Sequence, residues 1–210
     1  MLITTQRGKA DKIHIYIDGE YWLTVDESYW ASLCIAEKSE IDEDDFIELE
    51  RSIMRRRAFN KATYLLSSRE HSRREIITKL IQRGYNKETA EETADRLEEY
   101  GYLSDERFAR LYAAELKERK KLGKIRIKQE LLRKGIDRDI IENVLSETEE
   151  NAETEIAELL RKKYPRFSQD ERIKNRAINA LIRYGYRIYD IKNAMNMFDN
   201  SEEEYYDIEE

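Results

Sequence analysis

One short sequence pattern occurs three times in this chain, at almost equal spacing. Segments 79–85, 130–136 and 180–186 read KLIQRGY, ELLRKGI and ALIRYGY. The glycines of the three segments are 51 and 50 residues apart, at Gly84, Gly135 and Gly185. Even spacing of this kind is the signature of a repeated supersecondary unit. It predicts a row of small modules rather than a single large core.

Each repeat is predicted to contain three helices. In the first repeat, a helix around residues 62–66 precedes a second helix, which a capping box from Ser72 to Glu75 opens and Gly84 ends. A third helix is predicted from Lys87 to Tyr100. Because a unit of this size buries little apolar surface alone, we expect neighbouring repeats to share apolar surface in an elongated molecule.

The beginning of the chain has a different pattern, typical of a β-hairpin. Two β-rich runs, 13–17 and 21–25, flank Asp18-Gly19, and this dipeptide favours a type I′ turn. Ile3 is expected to lie in a third short strand. Two helices are predicted to follow, the first capped by Asp26 and the second beginning in the acidic run 42–45.

The predicted fold is therefore mainly α: tandem three-helix repeats in an elongated, right-handed or curved array, with a small N-terminal β-hairpin. The predicted boundaries are 1–58 for the hairpin and its helices, 59–102, 103–150 and 151–199 for repeats 1 to 3, and 200–210 for an acidic tail. The composition of this tail favours disorder.

Positive charge is concentrated in the middle of the chain. Residues 51–138 carry 24 Lys and Arg against 14 Asp and Glu, although the formal charge of the whole protein is -7. Within segment 116–136 only Glu118 and Glu130 are available to pair with the cations, which predicts a surface for a polyanion or an acidic partner. The predicted binding residues are Lys117, Arg119, Lys120, Lys121, Lys124, Arg126, Lys128, Arg133 and Lys134.

A second group of cations lies near the start of the first repeat. It consists of Arg69, Arg73 and Arg74, and it is a secondary candidate because Glu70 and Glu75 can pair with these arginines at helical spacing. For both groups a solvated helical face without a binding role is the alternative.

Other functional classes fit the sequence less well. A helix-turn-helix reader of duplex DNA would place segment 87–99 in the major groove, where its six carboxylates would be repelled by phosphates. His14, His71 and Cys34 form no catalytic or metal-binding pattern, and the single glycines form no phosphate-binding loop. We therefore expect no enzyme, no cofactor and no metal. The single cysteine and the absence of a long apolar segment predict a cytoplasmic protein that does not span a membrane.

Several motif blocks occur in order between Ala62 and Leu145. They include LSSREHSRRE at 66–75, GYLSDERFA at 101–109 and KGI at 134–136. On these residues the chain resembles RecX, the bacterial family that regulates the RecA recombinase.

The resemblance implies tandem three-helix repeats lying in the groove of a RecA filament on single-stranded DNA. It further implies a monomer with no catalytic site, which inhibits or more mildly modulates the recombinase and ATPase activities of RecA. Such a protein affects recombination, DNA repair and the SOS response. The expected partner is the RecA nucleoprotein filament, with single-stranded DNA as a second partner. A helical DNA-binding or adaptor protein independent of RecA is the alternative.

Overall fold

The computed structural model describes residues 1–35, 39–147 and 151–206, with side chains up to Met197. The strands are β1 (Leu2–Arg7), β2 (Lys12–Ile17), β3 (Glu20–Asp26) and β4 (Ser39–Glu40). The first five helices are α1 (Glu27–Ser32), α2 (Glu43–Leu66), α3 (Arg73–Ile81), α4 (Lys87–Glu99) and α5 (Asp105–Lys120). The last five are α6 (Lys124–Arg133), α7 (Arg138–Ser146), α8 (Ala152–Lys163), α9 (Glu171–Tyr184) and α10 (Ile188–Tyr206).

The N-terminal strands form an antiparallel sheet in the order β3-β2-β1-β4. The predicted hairpin connects β2 and β3, and both turn residues have the positive φ that a type I′ turn requires: 49° at Asp18 and 88° at Gly19. Ile3 lies in β1, as predicted, and pairs with Ile17. The two-residue strand β4 was not predicted, because it is too short to show an alternating pattern.

Helix α2 joins the N-terminal module to the first repeat without a break. Its N-cap, Asp42, accepts a hydrogen bond from the backbone N–H of Asp45 at 2.8 Å. The helix then continues through 24 residues, across the boundary expected at residue 58. Leu49 and Ile53 pack under the sheet, whereas Ala58 and Ala62 are buried in the first repeat. The two helices expected here are therefore one helix, since no Gly or Pro interrupts segment 43–66.

Each repeat consists of three helices. Repeat 1 uses the second half of α2 with α3 and α4, repeat 2 uses α5 to α7, and repeat 3 uses α8 to α10. The second helix of each repeat is followed by a glycine in the left-handed region, with φ of 90° at Gly84, 82° at Gly135 and 92° at Gly185. This conformation suits Gly because it has no Cβ. The predicted fold class, helical repeats after a small antiparallel sheet, is confirmed.

Among the described residues, the hydrophobic core is divided into four separate clusters, one in the N-terminal module and one in each repeat. The expectation that neighbouring repeats share apolar surface is therefore wrong. Each three-helix unit closes its own small core, and polar groups connect one unit to the next. The accessible surface is 14256 Å², whereas a compact protein of this mass has about 10,000 Å². An elongated arrangement follows.

The first part of the expected disordered tail, residues 200–206, is helical. Helix α10 continues through residues 200–206, up to Tyr206. Residues 207–210, the rest of the predicted tail, lie outside the described residues.

Candidate functional site

Repeats 1 and 2 meet where the end of α6 contacts the start of α3. The Ser72 hydroxyl donates a hydrogen bond to the backbone carbonyl of Lys134, at 2.8 Å. Gly135 packs so closely on Arg74 that an added Cβ at Gly135 would lie 2.8 Å from the Arg74 Cβ. We call this set of contacts the first joint. It brings the C-terminus of one helix to the N-terminus of another, an arrangement that favourably aligns the two helix dipoles.

Glu75 connects the two sides of the first joint. The sequence predicted a capping box, and the Ser72 hydroxyl does accept the N–H of Glu75 at 3.2 Å. The Glu75 carboxylate instead accepts hydrogen bonds from Lys134 at 2.5 Å, and from Arg69 and His71 at 3.1 Å each. One carboxylate therefore binds a cation of repeat 2 and two side chains of repeat 1.

Burial and hydrogen bonding change the pKa values of Glu75 and His71. Burial by itself raises the pKa of Glu75, but the hydrogen bonds from Lys134, Arg69 and His71 outweigh it and lower the pKa to about 2. Burial also lowers the pKa of His71, although its hydrogen bond to Glu75 opposes this effect. At neutral pH the cluster therefore contains an ionised Glu75 and a neutral His71.

A basic cleft of about 280 Å³ lies beside the first joint. Four cations line it, against one carboxylate, Glu75. The complete lining is Arg74, Glu75, Thr78, Lys79, Gln82, Arg133 and Lys134. Because Glu75 is already bonded to Lys134, the cleft has an excess of positive charge. It is suited to a phosphate or a carboxylate of a partner.

Repeats 2 and 3 meet in a second joint, where the turn after α9 contacts the start of α6. The backbone N–H groups of Gly123 and Ile125, at the start of α6, donate to the carbonyls of Tyr184 and Gly185, at 2.8 and 3.3 Å. Gly185 packs on Arg126, the third residue of α6, whereas Gly135 packs on Arg74, the second residue of α3. Thus α9, α6 and α3 follow one another end to end.

Side chains close the second joint. The phenol of Tyr186 shares its single proton between two acceptors, the carbonyl of Lys121 at 3.1 Å and the carboxylate of Glu155 at 3.2 Å. Lys117, one of the predicted binding residues, forms an ion pair with Glu155 at 3.2 Å. Burial and the Glu155 carboxylate raise the pKa of Tyr186, so that the phenol keeps its proton. Lys117 thus contributes to the contact between repeats.

The predicted binding residues do not form one unneutralised patch. Three of them pair with a carboxylate on their own helix, at a spacing of three or four residues: Arg119–Glu115, Arg126–Glu130 and Arg133–Glu130. Three others pair with carboxylates of other helices, which the sequence alone did not reveal: Lys117–Glu155, Lys128–Glu142 and Lys134–Glu75. Lys124 begins α6 and lines the pocket at the second joint. Lys120 and Lys121 are exposed, and no ion pair joins either of them to a described residue.

The secondary candidates also separate. Arg69 pairs with Glu75 in the first joint. Arg73 pairs with Asp95 and Glu98 inside repeat 1, at 2.6 and 3.4 Å, and is structural. Arg74 lines the basic cleft together with Arg133 and Lys134 of the main group. The structure therefore brings together two groups that lie about 60 residues apart in the sequence.

Lys79 was missed as a candidate, although it lines the basic cleft. It is the first residue of the repeated segment KLIQRGY, but Glu130 and Ala180 occupy the equivalent positions, so the repeat pattern did not mark it as a binding residue. The described residues contain no group of three or more His, Cys, Asp or Glu placed to hold a metal ion. Among the helices of the described part, none is long and apolar enough to cross a membrane.

These features define a class of protein: a modular array of helical repeats, joined by polar contacts, with a basic cleft at one joint. Models of the RecX family match two parts of the chain. The first three-helix domain of RecX matches residues 58–97, and the second matches residues 104–145.

Relatives and solved structures agree with these matches. The chain is 31% identical to the regulatory protein RecX of Caldanaerobacter subterraneus subsp. tengcongensis over 202 residues, which cover 94% of this chain and all of the relative. It is 30% identical to the regulatory protein RecX of Bacillus subtilis over 206 residues, which cover 96% of this chain and 78% of the relative.

A crystal structure of regulatory protein RecX is similar in fold, with a TM-score of 0.71 and 23% identity, over 91% of this chain and 97% of that one. RecX from Lactobacillus salivarius has a TM-score of 0.64 and 22% identity, over 70% of this chain and 98% of that one. The chain belongs to the RecX family of regulatory proteins.

Proposed function

We propose that this protein binds the RecA filament on single-stranded DNA and inhibits its recombinase and ATPase activities. The observation that carries the proposal is the basic cleft at the first joint, in a chain that aligns over nearly its whole length with regulatory RecX proteins. A filament on DNA presents phosphates and carboxylates along an extended path. An elongated array with a cationic cleft is suited to such a partner.

The proposal assigns different roles to the cations. Lys79 and Arg133 attract the partner at the cleft, and Lys120 and Lys121 contribute from the turn between α5 and α6. Lys117 and Arg73 hold the array in shape, because Lys117 pairs with Glu155 across the second joint and Arg73 bridges Asp95 and Glu98 inside repeat 1. Arg133 pairs with Glu130 on its own helix, but its side chain is 66% exposed and stays accessible to a partner.

The test is the single-stranded-DNA-dependent ATP hydrolysis of RecA from the same organism, while this protein is titrated in. We expect inhibition at well below one molecule per RecA subunit. Full ATPase activity at equimolar protein, with circular dichroism showing a folded helical protein, would contradict the proposal. Binding to bare single-stranded DNA that RecA does not strengthen would favour a DNA-binding protein independent of RecA.

Two neutralised variants locate the electrostatic contact. The cleft variant carries Lys79→Gln and Arg133→Gln, and the turn variant carries Lys120→Gln and Lys121→Gln. We expect each to weaken filament binding about tenfold at low salt and less at high salt, because salt screens the lost attraction. The matched control, Lys162→Gln with Arg166→Gln, removes two exposed cations of repeat 3 and should bind like the wild type. Equal binding by all three variants would show that the cations have no such role.

A further inference from the structure

A groove of about 510 Å³ lies between the edge strand β3 and helix α2, and it shares no lining residue with the basic cleft at the first joint. One wall is the end of β3 with the start of α1. The other wall is one face of α2, because its lining residues recur at spacings of three and one along the helix. These residues are Ile53, Arg56, Arg57, Asn60, Lys61 and Tyr64, a stripe about 16 Å long. We call this site the α2 groove.

The α2 groove carries positive charge that the described part of the chain does not neutralise. Four cations and one carboxylate line it, and the carboxylate, Asp26, already pairs with Lys12. Residues 1–50 contain 13 Asp and Glu against 4 Lys and Arg, so carboxylates are plentiful in the same module. The fold nevertheless places only Asp26 in the groove. No ion pair joins a described residue to any of the other three cations: Arg56, Arg57 and Lys61.

Two tyrosine rings lie beside these cations. The Arg56 guanidinium lies over the ring of Tyr29, 5.6 Å from its centroid, and the Lys61 amine lies over the ring of Tyr64 at 5.0 Å. Arg57 donates a hydrogen bond to a backbone carbonyl of β3 at 3.4 Å, which holds its guanidinium in the groove. Tyr64 is 68% exposed, so most of its ring is open to a ligand. The groove thus offers positive charge and an accessible aromatic ring side by side.

We propose that the α2 groove binds a single-stranded nucleic acid, with phosphates on the three unpaired cations and a base stacked on Tyr64. A single strand presents phosphates and unstacked bases together, and cationic grooves with aromatic platforms bind both. A duplex keeps its base faces inside the stack, so it offers nothing to the ring. An acidic peptide would pair with the cations, but its carboxylates are not attracted to the negative face of an aromatic ring.

This site goes beyond the proposed function, because it requires no RecA. Three of its four cations, Lys12, Arg56 and Arg57, precede residue 58, where the match to the first RecX domain begins. The α2 groove therefore gives the N-terminal module a nucleic-acid contact of its own. Because α2 also belongs to repeat 1, a strand held there lies in a fixed position relative to that repeat.

The experiment measures binding of the full chain to fluorescein-labelled oligo(dT) of about 16 nucleotides, by fluorescence anisotropy over a range of salt concentrations. The charge variant carries Arg56→Gln, Arg57→Gln and Lys61→Gln. Its slope of log Kd against log salt concentration should be smaller than that of the wild type by about 2, because each single-strand phosphate contact contributes about 0.7. A matched control removes three exposed cations outside the groove and should keep most of the slope: Lys9→Gln, Arg51→Gln and Arg172→Gln.

Substitutions of Tyr64 test stacking separately from charge. Tyr64→Leu should weaken binding about tenfold without changing the salt slope, whereas Tyr64→Phe should bind like the wild type, because the ring is what stacks. An oligonucleotide of abasic sites keeps the phosphates and lacks the bases, so Tyr64→Leu and the wild type should bind it equally. All variants are also compared with Lys79→Gln and Arg133→Gln added, so that the cleft at the first joint does not mask the α2 groove. Circular dichroism verifies that each variant folds.

Four results would overturn the proposal. The wild type does not bind oligo(dT) at low salt, or the folded charge variant keeps the salt slope of the control. Tyr64→Leu binds oligo(dT) as tightly as the wild type, which would show that no base stacks on the ring. Polyglutamate displaces oligo(dT) as well as unlabelled oligo(dT) does, which would assign the groove to an acidic protein segment. Each result is independent of the inhibition of RecA ATP hydrolysis, so this site and the proposed function fail separately.

Discussion

Glu75→Gln is the substitution that most directly tests how repeats 1 and 2 are held together. The Glu75 carboxylate bonds Lys134 of repeat 2 as well as Arg69 and His71 of repeat 1, and its side chain is only 15% exposed. Gln has nearly the same shape but no charge. The substitution therefore removes the anion and leaves the two cations without it.

The magnitude follows from the pKa of Glu75. Its value of about 2, against the ordinary 4.5, means that the folded protein favours the ionised over the protonated carboxyl by about 3 kcal/mol. Gln can still accept one hydrogen bond, so we expect a loss of about 2 to 3 kcal/mol in the free energy of unfolding at pH 7. The measurement is urea unfolding followed by far-UV circular dichroism.

The same cluster determines the pH dependence. Between pH 4.5 and 2 the unfolded chain binds more protons at Glu75 than the folded chain does, so stability is fully present above pH 4.5 and is lost as pH falls toward 2. The lowered pKa of His71 acts in the same direction below its ordinary value of 6.5. In Glu75→Gln the loss between pH 4.5 and 2 should be smaller than in the wild type by about 3 kcal/mol.

The matched control is Glu147→Gln. Glu147 pairs with Arg110 at 3.1 Å, but both side chains are about half exposed and lie within repeat 2. Its substitution should leave the unfolding curve unchanged within error, because exposed ion pairs contribute little. If Glu75→Gln unfolds at the same urea concentration as the wild type, or keeps its full acid sensitivity, Glu75 does not hold the joint.

Two further predictions concern the joints. Gly135→Ala should lower the free energy of unfolding by about 2 to 3 kcal/mol, because the left-handed backbone disfavours Ala and the new Cβ would overlap Arg74. The control, Gly84→Ala, has φ of 90° but nothing within 4 Å of the new Cβ, so it should lower this free energy by only about 1 kcal/mol. Equal urea midpoints for the two variants would contradict the close approach of Gly135 to Arg74. Tyr186→Phe should lower the free energy of unfolding by about 1 to 2 kcal/mol, because the hydrogen bond to Glu155 is lost. It should also increase hydrogen exchange of the backbone amides at the start of α6. Unchanged exchange there would show that the phenol does not secure the second joint.

Local patterns predicted the elements of the fold well. The Asp18-Gly19 turn and Gly84, which ends the second helix of repeat 1, have the predicted conformations, because each depends on the backbone preference of one or two residues. The division of segment 43–66 into two helices was wrong: it is one helix, and its two halves pack in different cores. The sharing of apolar surface was also wrong, since the sequence shows which residues are apolar but not which repeat they face.

The candidate site was harder to predict for a related reason. The pairing of several predicted binding cations depends on carboxylates far away in the chain, such as Glu155 for Lys117 and Glu75 for Lys134. Sequence spacing predicts pairs on one helix, which are three or four residues apart. It does not predict pairs across a joint. The basic cleft could be recognised only once the joint had placed Lys79 beside Arg133.

The unbroken helix α2 makes one end of the molecule mechanically different from the rest. Its 24 residues span about 36 Å, and turning the sheet relative to repeat 1 would require bending this rod. The joints between repeats can instead change by exchanging a few hydrogen bonds. The sheet is therefore a stiff arm fixed to repeat 1, whereas only a few hydrogen bonds and ion pairs set the angles between the repeats. Wherever repeat 1 settles on a partner, the position of the sheet is already determined.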